Sequence, residues 1–456
     1  MSELLADARS PYSGIDPQVL RQKIFDFPLT QSNALPLAEA IDEACETIAR
    51  HSILVQHPSC IAHLHTPPMI SGIAAERFIS LLNPSMDSWD QSGSATFVEE
   101  RVVAWLTELF QLGSDADGVF TSGGTQGNIM ALLMARDSAI QQRSGHNVQQ
   151  DGLPDYFSTL RIVGSTKSHF TLKKAASIMG LGEKAVVDVQ SLPDGSMDIQ
   201  ALRAKMVDLE RAGLIPFAIV GTAGTTDHGA IDDLEALALV AQRHNAWFHV
   251  DAAYGGALML SGAKHRLSGI QRANSVVVDF HKLWFQPISC GALLLKDKRN
   301  FSHLRHHADY LNRETDDLPN LVDKAISTTR RFDALKVWMM LRSVGDLTMG
   351  EMVDHLLMQT KAVAALVQKL PAFELLAKPN LSTVLFRFIG RSGQAGDVND
   401  FNRCLRARLL KSGVAVIGET TLDGRAALKL TILNPCLPMR HFESLFQLIE
   451  EVALEL

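Results

Sequence analysis

The segment Ser275-Val276-Val277-Val278-Asp279-Phe280-His281-Lys282 constrains this chain more than any other. Three consecutive valines fit a strand buried on both faces, the environment of a parallel sheet between two helical layers. The run stops at an acid and reaches a lysine three residues later. Such a lysine either snorkels to the surface or stays out of water. Desolvation favours the neutral amine, the form that condenses with an aldehyde.

Similar short apolar runs recur at 118–121, 160–164, 216–221, 246–250 and 291–295, with helix-period stretches such as 129–139 and 234–244 between them. This alternation predicts an α/β large domain over residues 86–345, a mainly parallel sheet flanked by helices. Residues 1–85 are proline-rich and read as an N-terminal arm wrapped on something larger. From residue 346 to 456 the pattern becomes a helix (351–370), a strand (382–388), a helix (398–412) and strands at 414–417 and 426–433. A small α+β domain is expected there, with 394–397 as a loop. A chain of 456 residues is long enough for two or three such units.

Charge narrows the function classes. Forty-three Lys and Arg against 50 Asp and Glu leave −7 with no basic block, which argues against nucleic acid as a partner. No apolar run approaches the ~18 residues of a membrane span. The amino terminus is acidic and lacks the basic n-region of a signal peptide. Five scattered cysteines without a CxxC fit reduced thiols. The expected compartment is the cytoplasm.

Ligands of open α/β sheets bind at the carboxyl ends of strands, and three further features fall there. His249-Val250-Asp251-Ala252-Ala253-Tyr254 ends a buried strand in an acid. Asp251 could cap the next helix. Facing a protonated ring nitrogen ~4 Å away, it would contribute about 4 kcal/mol at an effective dielectric of ~20. Gly123-Gly124-Thr125-Gln126-Gly127 joins a strand to a helix start, an anion site built from backbone N–H groups. It lacks the Gly-Lys-Ser/Thr ending of a nucleotide loop and the dinucleotide spacing, so a lone phosphate suits it better. His169 follows the run at 160–164, either as a structural histidine or as a ring that stacks on a cofactor. Asp251 and Lys282 stand thirty-one residues apart, about one helix-plus-strand unit.

The 249–254 motif and His281-Lys282, in this order and spacing, make the chain resemble the group II pyridoxal-phosphate decarboxylases from about Gln56 to Pro435. The resemblance implies pyridoxal-phosphate fold type I, the aspartate-aminotransferase-like architecture, with pyridoxal 5'-phosphate as cofactor. Position by position it implies Lys282 as the Schiff-base lysine, Asp251 as partner of the pyridine nitrogen, and His169 stacked on the ring. Gly124, Thr125 and His281 would lie near the phosphate, while Thr226 and Ala253 contact the cofactor. Asp279 falls where the aromatic branch carries Asn; an acid would repel a phosphate, so Asp279 is expected to orient His281 instead. Tyr310 is assigned to a loop from the neighbouring subunit of a homodimer, where a phenol can protonate the carbon that has lost carbon dioxide. Relatives with Phe there form aldehydes, so a tyrosine favours simple decarboxylation. Arg330 and Arg331 fit the family's arginine beyond that loop.

Segments 60–68 and 85–91 resemble the branch of L-2,4-diaminobutyrate and siderophore-type lysine decarboxylases. The expected reaction removes the α-carboxylate of a diamino acid (2,4-diaminobutyrate, lysine or ornithine), with siderophore or polyamine precursor supply as the implied destination. Asp87, with Asp90, would receive the distal ammonium, unless both acids only cap a helix start. Thr66 and His65 belong to the expected substrate side. The alternatives are decarboxylation of glutamate, an aromatic amino acid or histidine, and an aldehyde synthase. His57, His63 and His65 raise a zinc hydrolase as a rival, but no HExxH spacing accompanies them, and no metal is expected.

Overall fold

Val276, Val277 and Val278 are fully buried, as a strand covered on both faces requires. They belong to a seven-stranded sheet: β1 (Asp117–Thr121), β2 (Leu160–Ser165), β3 (Val186–Val189), β4 (Ile215–Thr222), β5 (Trp247–Asp251), β6 (Ser275–Asp279) and β7 (Gly291–Leu295). The spatial order is β1-β7-β6-β5-β4-β2-β3. β3, β2, β4, β5 and β6 run parallel, whereas β7 is antiparallel to both its neighbours, which turns β1 back into the common direction. The carboxyl ends of β1, β2, β4, β5 and β6 therefore share one edge of the sheet.

In this computed structural model residues 9–30, 34–309, 311–313, 317–390 and 397–456 are described. They fall into two compact units, Pro68–Asp354 and a second that joins Met1–Pro67 to His355–Leu456. The apolar runs mark six of the seven strands. The unmarked β3 has four residues including Asp188 and pairs on one side only, so it carries no long apolar run. Helix Gly124–Ser144 begins five residues before the predicted 129–139, because its first turn is glycine-rich and packs by closeness rather than by apolar side chains. A Cβ at Gly127 would lie 2.7 Å from Val277 Cγ2, so this helix rests directly on β6.

The other unit has a five-stranded sheet in the order Cys60–Ile61, Val416–Leu422, Arg425–Thr431, Thr383–Phe388, Phe373–Leu375. Cys60 and Ile61 pair parallel with Val416 and Ile417, so an amino-terminal segment completes the carboxy-terminal sheet. Helix Met439–Leu454 buries Phe442, Leu445, Phe446 and Ile449 on one stripe. The Phe446 ring packs 5.2 Å from those of Phe373 and Phe386. Of the expected 394–397 loop, 394–396 lie outside the described residues. Among the described residues no helix is long and apolar enough to cross a membrane.

Candidate active site

β1 turns through Ser122 and Gly123 into the helix that opens at Gly124. Gly123 holds φ 147°, a conformation in which an L side chain is strained, and no side chain caps the helix. The first-turn amides of Gly124 and Thr125 thus meet the positive end of the macrodipole at an uncapped terminus, a ready anion site. A Cβ at Gly123 would come 3.1 Å from His281 Cε1, and one at Gly124 3.2 Å from both Ala253 Cβ and Asp279 Oδ2. The bare glycines keep open a space bordered by His281, Ala253 and Asp279.

Lys282 follows β6 by three residues, and its Nζ lies 2.9 Å from Asp279 Oδ2. His281 Nε2 is farther from the same oxygen, at 3.7 Å, while His281 Nδ1 lies 2.8 Å from the Cys290 carbonyl. Asp279 is therefore the charge partner of Lys282 more than the orienting group of His281. Its other oxygen, Oδ1, is buried with no hydrogen-bond partner. An orphaned buried oxygen beside an uncapped glycine turn marks a place where a ligand belongs.

Asp251 ends β5 and is 7 % exposed. Its oxygens accept from Ala253 N at 3.1 Å and from Asn128 Nδ2 at 2.8 Å. The short helix Gly255–Leu260 that follows has no side-chain cap, so the capping alternative for Asp251 does not hold. His249, two residues earlier on the same strand face, places Nε2 2.9 Å from Asn128 Oδ1 and Nδ1 2.8 Å from Ser275 Oγ. Half-buried His169 sets Nδ1 3.1 Å from Thr171 Oγ1. Burial lowers its pKa first of all; the charge of Asp251 opposes that, and Lys282 adds to it. Asn128, Thr171 and Ser275 escaped the sequence reading. Asn128 carries the one available signal, standing four residues after Gly124 and so on the same helix face.

Complete burial pushes the His249 ring down to about 4, against the opposing pull of Asp251. Between that value and the ordinary 6.5, the unfolded chain binds the proton and the folded chain does not. The His249 contribution to stability is therefore present above pH ~6.5 and is lost as pH falls, by at most about 3 kcal/mol. His249→Gln keeps a donor but cannot titrate. Its Tm deficit relative to the parent should shrink between pH 7.5 and pH 4.5; parallel curves would refute the assignment.

The remaining expected residues are placed as follows. Thr226 is exposed on the turn after β4, which Thr225 closes by accepting Ala230 N at 3.0 Å. Asp87 is buried and accepts Ser88 N at 2.9 Å, whereas exposed Asp90 accepts from the Ser88 hydroxyl at 2.5 Å. Neither makes a side-chain cap for helix Trp89–Ser92. In the other unit Thr66 is buried, its hydroxyl 3.2 Å from the Leu433 carbonyl, and His65 is exposed. Arg330 forms a buried pair with Glu99 at 3.0 Å, and Arg331 pairs with Glu76, so each has a protein partner. Tyr310 lies outside the described residues. Among the described residues no group of three or more His, Cys, Asp or Glu could hold a metal.

Fold and site together define a pyridoxal-phosphate enzyme of fold type I, and the uncapped turn, its glycine-lined space and the Lys282 amine held on Asp279 at its border fit that cofactor. The pyridoxal-dependent decarboxylase conserved domain matches residues 21–389, and the chain belongs to that family of carboxy-lyases. It is 42 % identical to the L-2,4-diaminobutyrate decarboxylase of Rhizobium meliloti (strain 1021), over 99 % of this chain and 89 % of that one. It is 37 % identical to the L-2,4-diaminobutyrate decarboxylase of Acinetobacter baumannii, over 95 % and 87 %. Among solved structures it resembles the glutamate decarboxylase domain of diaminobutyrate-pyruvate transaminase and L-2,4-diaminobutyrate decarboxylase from Vibrio parahaemolyticus. That likeness has a TM-score of 0.94 and 52 % identity, over 100 % of this chain and 93 % of that one.

Proposed function

We propose that this decarboxylase acts on a diamino acid, L-2,4-diaminobutyrate before lysine or ornithine, and releases the corresponding amine and carbon dioxide. Lys282 would hold the cofactor covalently, and the amides of Gly124 and Thr125, with His281, would take its phosphate. Asp251 would keep a proton on the ring nitrogen, His169 would cover the ring, and Thr226 and Ala253 would border it. Bound there, pyridoxal phosphate supplies an electron sink for the charge left at the α-carbon when carbon dioxide departs. Tyr310 would return a proton to that carbon. The observation that carries this reading is the arrival of Asp251 and Lys282 from the ends of neighbouring strands β5 and β6, with Asp279 bordering the glycine turn.

The substrate reading is supported by the two relatives named above and by Asp87. This carboxylate is 6 % exposed and forms no ion pair among the described residues. A buried anion without a cation is costly, and the distal ammonium of a diamino acid would supply one. Incubation with a panel of amino acids, followed by identification of the amines, tests the activity; 1,3-diaminopropane from 2,4-diaminobutyrate is expected. Asp87→Asn should lower kcat/KM for that substrate by about 30-fold or more. An unchanged value would overturn the role of Asp87.

A cytoplasmic homodimer with shared active sites completes the proposal, residues 1–85 serving as the dimerisation segment, 86–345 as the cofactor domain and 346–456 as the small domain. Support comes from helices Pro17–Phe25 and Leu37–Thr47, which bury no residue and leave Phe25, Leu37 and Ile41 exposed. Light scattering should return twice the chain mass.

A further inference from the structure

We propose that Asn128 is a positioning residue that ties Asp251, His249 and His169 into one hydrogen-bonded chain and places the proton of His169 on Nε2. The consequence for catalysis rests on the cofactor reading above; the geometry does not.

A carboxylate only accepts, so the atom 2.8 Å from Asp251 Oδ2 is the Asn128 amide nitrogen. That orientation turns Asn128 Oδ1 toward His249 Nε2 at 2.9 Å. An amide oxygen also only accepts, which puts the hydrogen on His249 Nε2. In the neutral ring Nδ1 is then bare and takes the Ser275 hydroxyl at 2.8 Å. Ser275 Oγ in turn accepts from Trp247 Nε1, a donor that cannot accept, at 2.8 Å. The carboxylate at one end and the indole at the other admit a single direction through the chain.

The second branch runs to His169. Asn128 Nδ2 also donates to Thr171 Oγ1 at 3.0 Å. Thr171 then points its hydroxyl at His169 Nδ1, 3.1 Å away, and its backbone N–H at the same nitrogen from 3.4 Å. With Nδ1 accepting, the ring hydrogen sits on Nε2, which has no hydrogen-bond partner among the described residues. His169 thus offers a donor to an anionic group beside the cofactor. Bulk water does not reach these links, because Asn128, Thr171, His249 and Ser275 are at most 1 % exposed. Neutral His249, held so by burial, is the state this direction requires.

The test uses the full-length protein labelled with 15N-histidine, with and without pyridoxal phosphate, and reads Nδ1 and Nε2 shifts between pH 6.5 and 8. Both His249 and His169 are expected as Nε2–H tautomers. Asn128→Asp replaces the donor with a second carboxylate oxygen. The Thr171 hydroxyl should then turn to that oxygen, and His169 should move its proton to Nδ1. Thr171→Val removes the hydroxyl but keeps the backbone N–H, so it should leave His249 unchanged and weaken the tautomer preference of His169. In the loaded enzyme Asn128→Asp should lower kcat by about tenfold or more with KM changed less than about threefold. A parent His169 with its proton on Nδ1 would overturn the proposal. So would an unchanged His169 spectrum in Asn128→Asp or, should that variant not fold, in Thr171→Val. Shifts as expected in a protein that releases no carbon dioxide would sink the decarboxylase reading and leave this one standing.

Discussion

Replacing Lys282 by alanine is expected to cut amine formation by at least about 10⁴-fold, because covalent attachment through this amine is a step for which no neighbouring group can substitute. Among the described residues the ion-pair partner of its Nζ is Asp279, a carboxylate, which carries no amine. The same change should also destabilise the fold. Asp279 is 3 % exposed at its side chain and would lose its closest cation. With Lys282 itself 20 % exposed, breaking the pair costs less than the ~3 kcal/mol of a fully buried one, yet it leaves Asp279 buried without that cation. Adding Asp279→Asn to Lys282→Ala should therefore recover Tm without recovering activity. Borohydride reduction with pyridoxal phosphate, followed by peptide mapping, checks the chemistry directly: the label should fall on Lys282. A label elsewhere, or none, would remove the basis of the proposed function.

The second large effect is expected at Asp251. Asparagine keeps the shape and can still meet Ala253 N, but it removes the charge opposite the ring nitrogen. About 4 kcal/mol of attraction at an effective dielectric of ~20 corresponds to roughly 10³-fold in rate. The loss should fall on kcat, since the charge matters most when electron density moves into the ring. Steady-state kinetics of Asp251→Asn checks this, with Asp251→Glu retaining part of the rate. A drop of less than about tenfold would mean that the carboxylate serves Asn128 and not the cofactor.

Much of this was legible in the chain itself. The valine run of β6 predicts a doubly covered strand, and the residues just past it belong to the edge where ligands bind. The glycine turn at 123–127 reads as an anion site because glycine permits both the φ of Gly123 and the close seating of the helix on Val277. Thr171 was not legible, and Asn128 only through its place one turn after Gly124. Each is a single polar residue in a helix, and such residues are ordinary in sequence; only their burial and their partners distinguish them. Arg330 is a second case: its place in the chain fits the family's arginine, but its buried pairing with Glu99 is visible only in the folded structure.

Local chemistry is written residue by residue: hydrophobic period, glycine freedom, and an acid or lysine at a strand end follow from identity and spacing alone. Which groups share a hydrogen bond is not so written. Asn128 meets Asp251 at a separation of 123 positions, and Cys60 pairs with Val416 in a sheet of the unit they share. Pairings at such separations depend on how helices seat on strands and how strands order themselves. That is a property of the packed chain as a whole, and it decided that His169 and Asp251, far apart in the chain, are joined through Asn128 and Thr171.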